Sequence, residues 1–188
     1  LSMVCYCLLI GGALAANFPD VPESAAYAEA VNVLADNGIL NGDENGNFNP
    51  NNTVTRAEFS AIICRLLGVE EDAKVLTQSK FSDVSSSHWA KGYIAKAAEL
   101  GIVNGNEDGT FKPEDKVTFE QAVKMLICAI GFEENAKEAG SYPDGYIKIA
   151  EKYGYLQGID KAIGKAFTRS NVAVLLANYI NEQGGDYE

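Results

Sequence analysis

The sequence predicts an all-α protein assembled from helix-loop-helix units, on three observations. Apolar residues recur at helical spacing: Phe59, Ile62, Ile63, Leu66 and Leu67 fall at i, i+3, i+4, i+7 and i+8 on one stripe. Helix starts and stops are marked, Thr55 with Glu58 three places on as a capping box and Gly68 as a left-handed stop. The pattern also repeats: Phe18-Pro19-Asp20-Val21 returns 63 residues later as Phe81-Ser82-Asp83-Val84.

Taken without a gap, the same offset carries Gly38-Ile39 onto Gly101-Ile102 and Asn41-Gly42 onto Asn104-Gly105. It carries Gly46-x-Phe48-x-Pro50 onto Gly109-x-Phe111-x-Pro113, and Thr55 onto Thr118. In each copy a first helix follows the Phe-x-Asp-Val opening, with Tyr27, Ala30, Val31 and Leu34 on one face, or Ala90, Tyr93, Ile94, Ala97 and Ala98. A polar loop then leads to the second helix. A third, eroded copy starts at Tyr142, stops its first helix at Gly154, and restarts at Phe167-Thr168-Arg169-Ser170-Asn171. It has lost the Gly-x-Phe-x-Pro turn. The charged connections after Val69 and Phe132 are expected to add a short helical turn. A single helix pair exposes too much surface to bury its own stripe, so the units must pack on one another.

These signals divide the chain into repeat one at 17–69, repeat two at 80–132 and repeat three at 140–181. The apolar run 1–16 ends in Ala13-x-Ala15 and reads as a secretory signal with a truncated start, too short to span a bilayer. Residues 182–188 read as a linker to a further domain C-terminal to Glu188. Once the signal is removed, no membrane insertion is expected.

Composition narrows the function. The chain has 188 residues, 47% of them hydrophobic and 22% charged, which suits a packed core rather than disorder. A net charge of −11 disfavours nucleic acid, whose binding rests on neutralising phosphates. Binding any polyanion would need local cations. Cys64 and Cys128 lie on apolar helix faces and read as buried thiols, with a disulfide left open by spacing alone.

The motifs Phe-x-Asp-Val, His88-Trp89-Ala90, Asp108-Gly109-Thr110-Phe111-x-Pro113 and Thr55-Arg56-Ala57-Glu58 resemble those of the S-layer homology family, here as three tandem repeats across residues 18–180. The resemblance implies a pseudo-threefold helical module that holds exported proteins on the bacterial cell wall. It would do so without a covalent bond, by binding a secondary wall polysaccharide, a peptidoglycan-associated polymer that is often pyruvylated, in grooves between repeats. The basic residue of the Thr-Arg-Ala-Glu motif is the implied contact.

Repeat one keeps that motif intact. Repeat two reads Thr118-Phe119-Glu120-Gln121 and lacks the cation, while repeat three keeps Arg169 with a weaker box. Nothing in helix formation calls for Arg56, since a cation at the first helical position opposes the dipole. Arg56 and Arg169 are therefore the leading polysaccharide contacts, paired with a carboxylate and assisted by backbone donors at the helix start. Thr55 and Thr168 open those helices. Trp89 is a candidate sugar-stacking ring, although a Trp opening a helix reads first as core. Asp20 and Asp83 are expected to cap the first helices or tie down the opening loops, with a place at a groove rim as the lesser reading.

Two rival readings stand beside this one. The loop from Asn41 to Asn52 imitates a calcium-binding loop but ends on Asn where a bidentate Glu is required, so turn chemistry accounts for it. The other is a structural or protein-binding surface-layer module with degenerate grooves and no polysaccharide. No catalytic set, metal site or cofactor motif is present in the sequence, and His88 has no acid partner in view, so an enzyme is not expected.

Overall fold

The structure, a computed structural model, describes residues 18–184. The signal-like stretch 1–16 and the linker end 185–188 lie outside the described residues. In chain order the helices are α1 (Ala28–Asp36), α2 (Arg56–Leu66), α3 (Glu70–Lys74), α4 (Lys91–Glu99), α5 (Phe119–Ala129), α6 (Glu133–Ala139), α7 (Asp144–Lys152) and α8 (Arg169–Gly184). Among the described residues there is no sheet, only isolated bridges near the centre. The protein is all-α. The short turns expected in the connections are α3 and α6, and α8 continues to Gly184, over the first residues of the stretch that reads as linker.

The second helix of each repeat packs on the first helix of the next. α2 lies on α4, α5 on α7, and α8 returns to α1, so the repeats close into a ring. At its centre the residues just before the three second helices hydrogen-bond in a cycle. Val117 N–H donates to Val54 O (2.9 Å), Val54 N–H to Phe167 O (3.0 Å) and Phe167 N–H to Val117 O (2.8 Å). All three are buried. Each repeat thus satisfies its neighbour's backbone, and that is what gives the module its pseudo-threefold axis.

Local chemistry sets the helix ends. The Thr55 hydroxyl accepts from Glu58 N–H at 3.1 Å while Thr55 N–H donates to the Glu58 carboxylate at 2.7 Å, a complete box. In repeat two only half of it forms: Gln121 reaches Thr118 N–H at 3.3 Å, but Thr118 Oγ1, shut off from solvent, has no hydrogen-bond partner among the described residues. Gly68 and Gly131, at φ 68° and 82°, stop α2 and α5 in the left-handed region.

Two other glycines are needed for close approach. A Cβ on Gly92 or Gly145 would run into the carbonyl of Ala73 or Ala136, so these positions let α3 dock on α4 and α6 on α7. The turn phenylalanines Phe48 and Phe111 are fully buried and pack on Phe18 and Phe81, with centroids 5.4 and 5.2 Å apart. Burying such a ring is worth about 2–3 kcal/mol. Cys64 and Cys128 are free thiols, pushed up by burial to about 12 and about 11 respectively.

Candidate functional site

The ring places the start of each second helix against the polar loop of the following repeat. Arg56 therefore sits in the loop of repeat two. Its Nε donates to Phe111 O at 2.9 Å, Nη2 reaches Asn104 O at 3.5 Å, and the guanidinium lies 4.5 Å from the Phe111 centroid. Arg169 does the same in the loop of repeat one, donating at 2.7 Å to both Phe48 O and Asn41 O, with its guanidinium 4.7 Å from the Phe48 centroid. Neither forms an ion pair with a carboxylate among the described residues. Burial lowers the affinity of each for its proton. The fields of Asp115, Tyr142 and Asp83 oppose this at Arg56, as do those of Glu58, Asp20 and Asp43 at Arg169. Both remain cations.

Geometry corrects two parts of the sequence reading. The amides at the helix starts are not available to an anion. Arg56 N–H donates to Asp115 O, Ala57 N–H to Pro113 O and Glu58 N–H to the Thr55 hydroxyl, and Arg169 and Ser170 are likewise bonded to Asn52 O and Pro50 O. The same exchange that builds the ring spends these donors, so any anion must be met by side chains. Second, Arg56 is dispensable for its own helix but not idle in the fold, because it ties repeat one to repeat two through two carbonyls.

Asp20 and Asp83 do not cap α1 and α4. Asp83 accepts from Phe111 N–H and Lys112 N–H, both at 2.7 Å, and Asp20 accepts from Phe48 N–H (2.7 Å) and Asn49 N–H (2.6 Å). Each tethers the opening loop to the turn whose Phe carbonyl receives the arginine, one peptide unit from the guanidinium. Thr55 sits buried at its helix start, and Thr168 accepts from Asn171 N–H at 3.3 Å.

Trp89 is not a core residue. It is 56% exposed, stacked on His88 with centroids 6.1 Å apart and tilted toward Tyr93 at 6.3 Å. Its position just ahead of α4 leaves it open where a core reading expected burial. Among the described residues its ring contacts are His88 and Tyr93, not either arginine. His88 does find an acid that the sequence hid: Glu114 lies 3.1 Å from Nε2. In the polar loops, Asp43 accepts from Asn45 and Asn47 N–H (2.9 Å each) and from the Asn49 amide (2.8 Å), and Asp108 accepts from the Thr110 hydroxyl at 2.6 Å. These hydrogen bonds hold both carboxylates below their usual range. They serve the turn itself.

The three pseudo-equivalent positions thus differ. A cleft of ≈ 480 Å³ opens beside Arg169, bounded by Asn41, Asp43, Asn49, Glu58 and Lys116. In the second position Phe119 replaces the arginine, is buried, and packs on Phe167 with centroids 6.0 Å apart. The adjoining cleft between α1 and α8, ≈ 350 Å³, is lined by small and amide side chains such as Ala26, Ala30, Asn171 and Asn178.

A closed ring of helix pairs, with cations set into inter-repeat grooves, defines a helical repeat module. The chain belongs to the S-layer homology family: the profile of the S-layer homology domain matches residues 17–60 and 80–123. It is 32% identical over 177 residues to a cell surface protein of Thermoanaerobacter kivui, covering 93% of this chain and 23% of that protein. It is 34% identical over 137 residues to a surface layer protein of Brevibacillus choshinensis (72% and 12%). It is also 38% identical over 104 residues to endo-1,4-beta-xylanase A of Thermoanaerobacterium saccharolyticum (55% and 9%). The chain therefore spans less than a quarter of the length of these relatives. Its place is the cell wall and cell surface, and no described helix is long and apolar enough to cross a membrane.

Proposed function

We propose that this module anchors an exported protein to the bacterial cell wall by binding an acidic secondary wall polysaccharide in the grooves of Arg56 and Arg169. The observation that carries this reading is a pair of half-buried guanidinium groups with no carboxylate partner among the described residues. Each spends Nε and one Nη2 proton on carbonyls of the next repeat. An arginine has five N–H donors, so the Nη1 edge is left for an anion such as a pyruvyl carboxylate. Asp83 and Asp20 hold the turns that aim the two arginines, Thr55 and Thr168 fix the helix starts, and the exposed Trp89 ring is a sugar-stacking face. The module itself is non-catalytic and needs no cofactor. The relatives' far greater length supports a cargo domain in the same polypeptide.

The sealed position at Phe119 favours a second reading for one third of the ring, a purely structural contact. Co-sedimentation with purified cell walls, before and after chemical removal of the polysaccharide, tests the proposal. Wild type is expected to bind only intact walls, and Arg56→Ala with Arg169→Ala to bind neither. Retention on stripped walls would overturn it.

A further inference from the structure

Asparagine is followed by glycine at 41–42, 45–46 and 104–105, and repeat three has Gln157-Gly158 where the other loops have Asn41-Gly42 and Asn104-Gly105. Such a junction is chemically labile, because the glycine nitrogen reaches the asparagine side-chain carbonyl with no side chain of its own in the way. The fold keeps the glycines: a Cβ on Gly42 would strike the Phe18 ring, and one on Gly105 the Phe81 ring. It does not hold the asparagine side chains. Asn41 and Asn104 are exposed, and their side-chain amides have no hydrogen-bond partner among the described residues. Gly42 N–H and Gly105 N–H are likewise without an acceptor among those residues. At the third junction Gly46 N–H is tied to Asp43 O at 3.0 Å, and the Asp43 carboxylate accepts from Asn45 N–H at 2.9 Å. That tie and that negative charge both oppose deprotonation of the Gly46 nitrogen.

The arginines set the other two junctions apart. Asn41 O accepts from Arg169 Nη2 at 2.7 Å, and Asn104 O from Arg56 Nη2 at 3.5 Å. When the Gly42 nitrogen gives up its proton, the charge spreads onto Asn41 O, so a guanidinium at that oxygen stabilises the nucleophile. Gln157 O meets the neutral Asn178 amide instead, at 2.9 Å, and a glutamine must close a larger, slower-forming ring. We propose that Asn41, and more slowly Asn104, are self-modifying deamidation sites whose isoaspartate product neutralises the arginine each one seats. The Gly42 nitrogen loses its proton to solvent and attacks Asn41 Cγ. The N–Cγ bond forms, the Cγ–Nδ2 bond breaks, and ammonia leaves with a proton from water. One water then opens the cyclic imide at either carbonyl. Opening at Cγ gives aspartate. Opening at the main-chain carbonyl gives isoaspartate, and the oxygen that accepted from Arg169 becomes part of a carboxylate. A neutral seat is thereby exchanged for an ion pair, whatever the groove binds.

The test incubates the whole folded chain at mildly alkaline pH in heavy-oxygen water, beside a sample unfolded in urea. Aliquots are cut with an acid-active protease and read by electron-transfer fragmentation, which separates aspartate from isoaspartate. In the folded chain Asn41 is expected to convert roughly fivefold to tenfold faster than Asn45, with Asn104 between them and Gln157 intact. In urea the three asparagines should agree within about twofold, since no arginine is then seated. A ratio of Asn41 to Asn45 no larger in the folded chain than in urea overturns the proposal. Arg169→Gln should slow Asn41 about threefold and leave Asn104 unchanged, and Arg169→Lys replaces it if melting shows that variant unfolded. An undiminished rate at Asn41 in the folded variant overturns the part given to the arginine. In nitrogen-labelled protein the Arg169 guanidinium resonances should shift in step with isoaspartate at 41, ahead of those of Arg56. Arg169 resonances indifferent to that conversion overturn the neutralisation.

Discussion

Arg56 and Phe119 occupy the same pseudo-equivalent position and solve the same packing problem in different ways. Arg56 fills the space beside the next repeat's turn with a guanidinium that donates to Phe111 O and Asn104 O and rests on a ring. Phe119 fills it with an apolar ring packed on Phe167 and no outward polar edge. The difference teaches that closing the ring and presenting a cation are separable tasks. The backbone cycle through Val54, Val117 and Phe167 serves all three positions regardless. Where the next repeat keeps its Gly-x-Phe-x-Pro turn, its carbonyls can seat an arginine. Where repeat three has lost that turn, an apolar plug takes its place.

Breaking the plug should have the largest effect on stability. Phe119→Ala removes a fully buried ring and is expected to cost about 3–5 kcal/mol, seen as a large drop in melting temperature with little change in wall binding. Removing an arginine should cost less stability and more function. Each →Ala change forfeits charged hydrogen bonds to carbonyls, roughly 1–3 kcal/mol in chemical denaturation. Arg169→Ala is expected to be the worse of the two, because both its contacts are 2.7 Å long whereas Nη2 of Arg56 reaches its carbonyl at 3.5 Å.

Caps sharpen the comparison further. Thr55→Ala should lose about 1 kcal/mol, the value of a working N-cap. Thr118→Val should be near neutral or stabilising in the same assay, because Thr118 Oγ1 is shut off from solvent without a partner. The smallest effect is titratable. The hydrogen bonds from Tyr93 and Arg65 hold Glu70 below its ordinary 4.5. Its contribution is therefore complete above that value and is lost as the pH falls through the lowered one. Glu70 is partly exposed, so the loss is below about 1 kcal/mol, and Glu70→Gln should remove that acid limb from the stability profile.

Much of the fold was legible because it is written in local chemistry that repeats. Thr55, Glu58, Gly68 and their copies 63 residues on mark helix ends, and the stripes mark buried faces. What could not be read is what depends on the ring's closure. The amides at the helix starts looked free for an anion, and only the neighbouring loops reveal that they are spent on Asp115 O and Pro113 O. For Asp20 and Asp83 the sequence left capping and loop-tethering both open, and the tether is what forms, with partners at Phe48 and Phe111 across the repeat. Trp89 read first as core since a lone ring at a helix start gives no hint of what covers it.

The central claim is that two of three pseudo-equivalent grooves bind an acidic wall polysaccharide, each through one arginine. Calorimetric titration of polysaccharide fragments released from purified walls tests it directly. The fragments should be short enough to fill one groove, and the proteins are wild type, Arg56→Ala, Arg169→Ala and the double variant, each confirmed folded by its melting curve. Two sites, one, one and none are expected in that order. Undiminished binding by the folded double variant would contradict it.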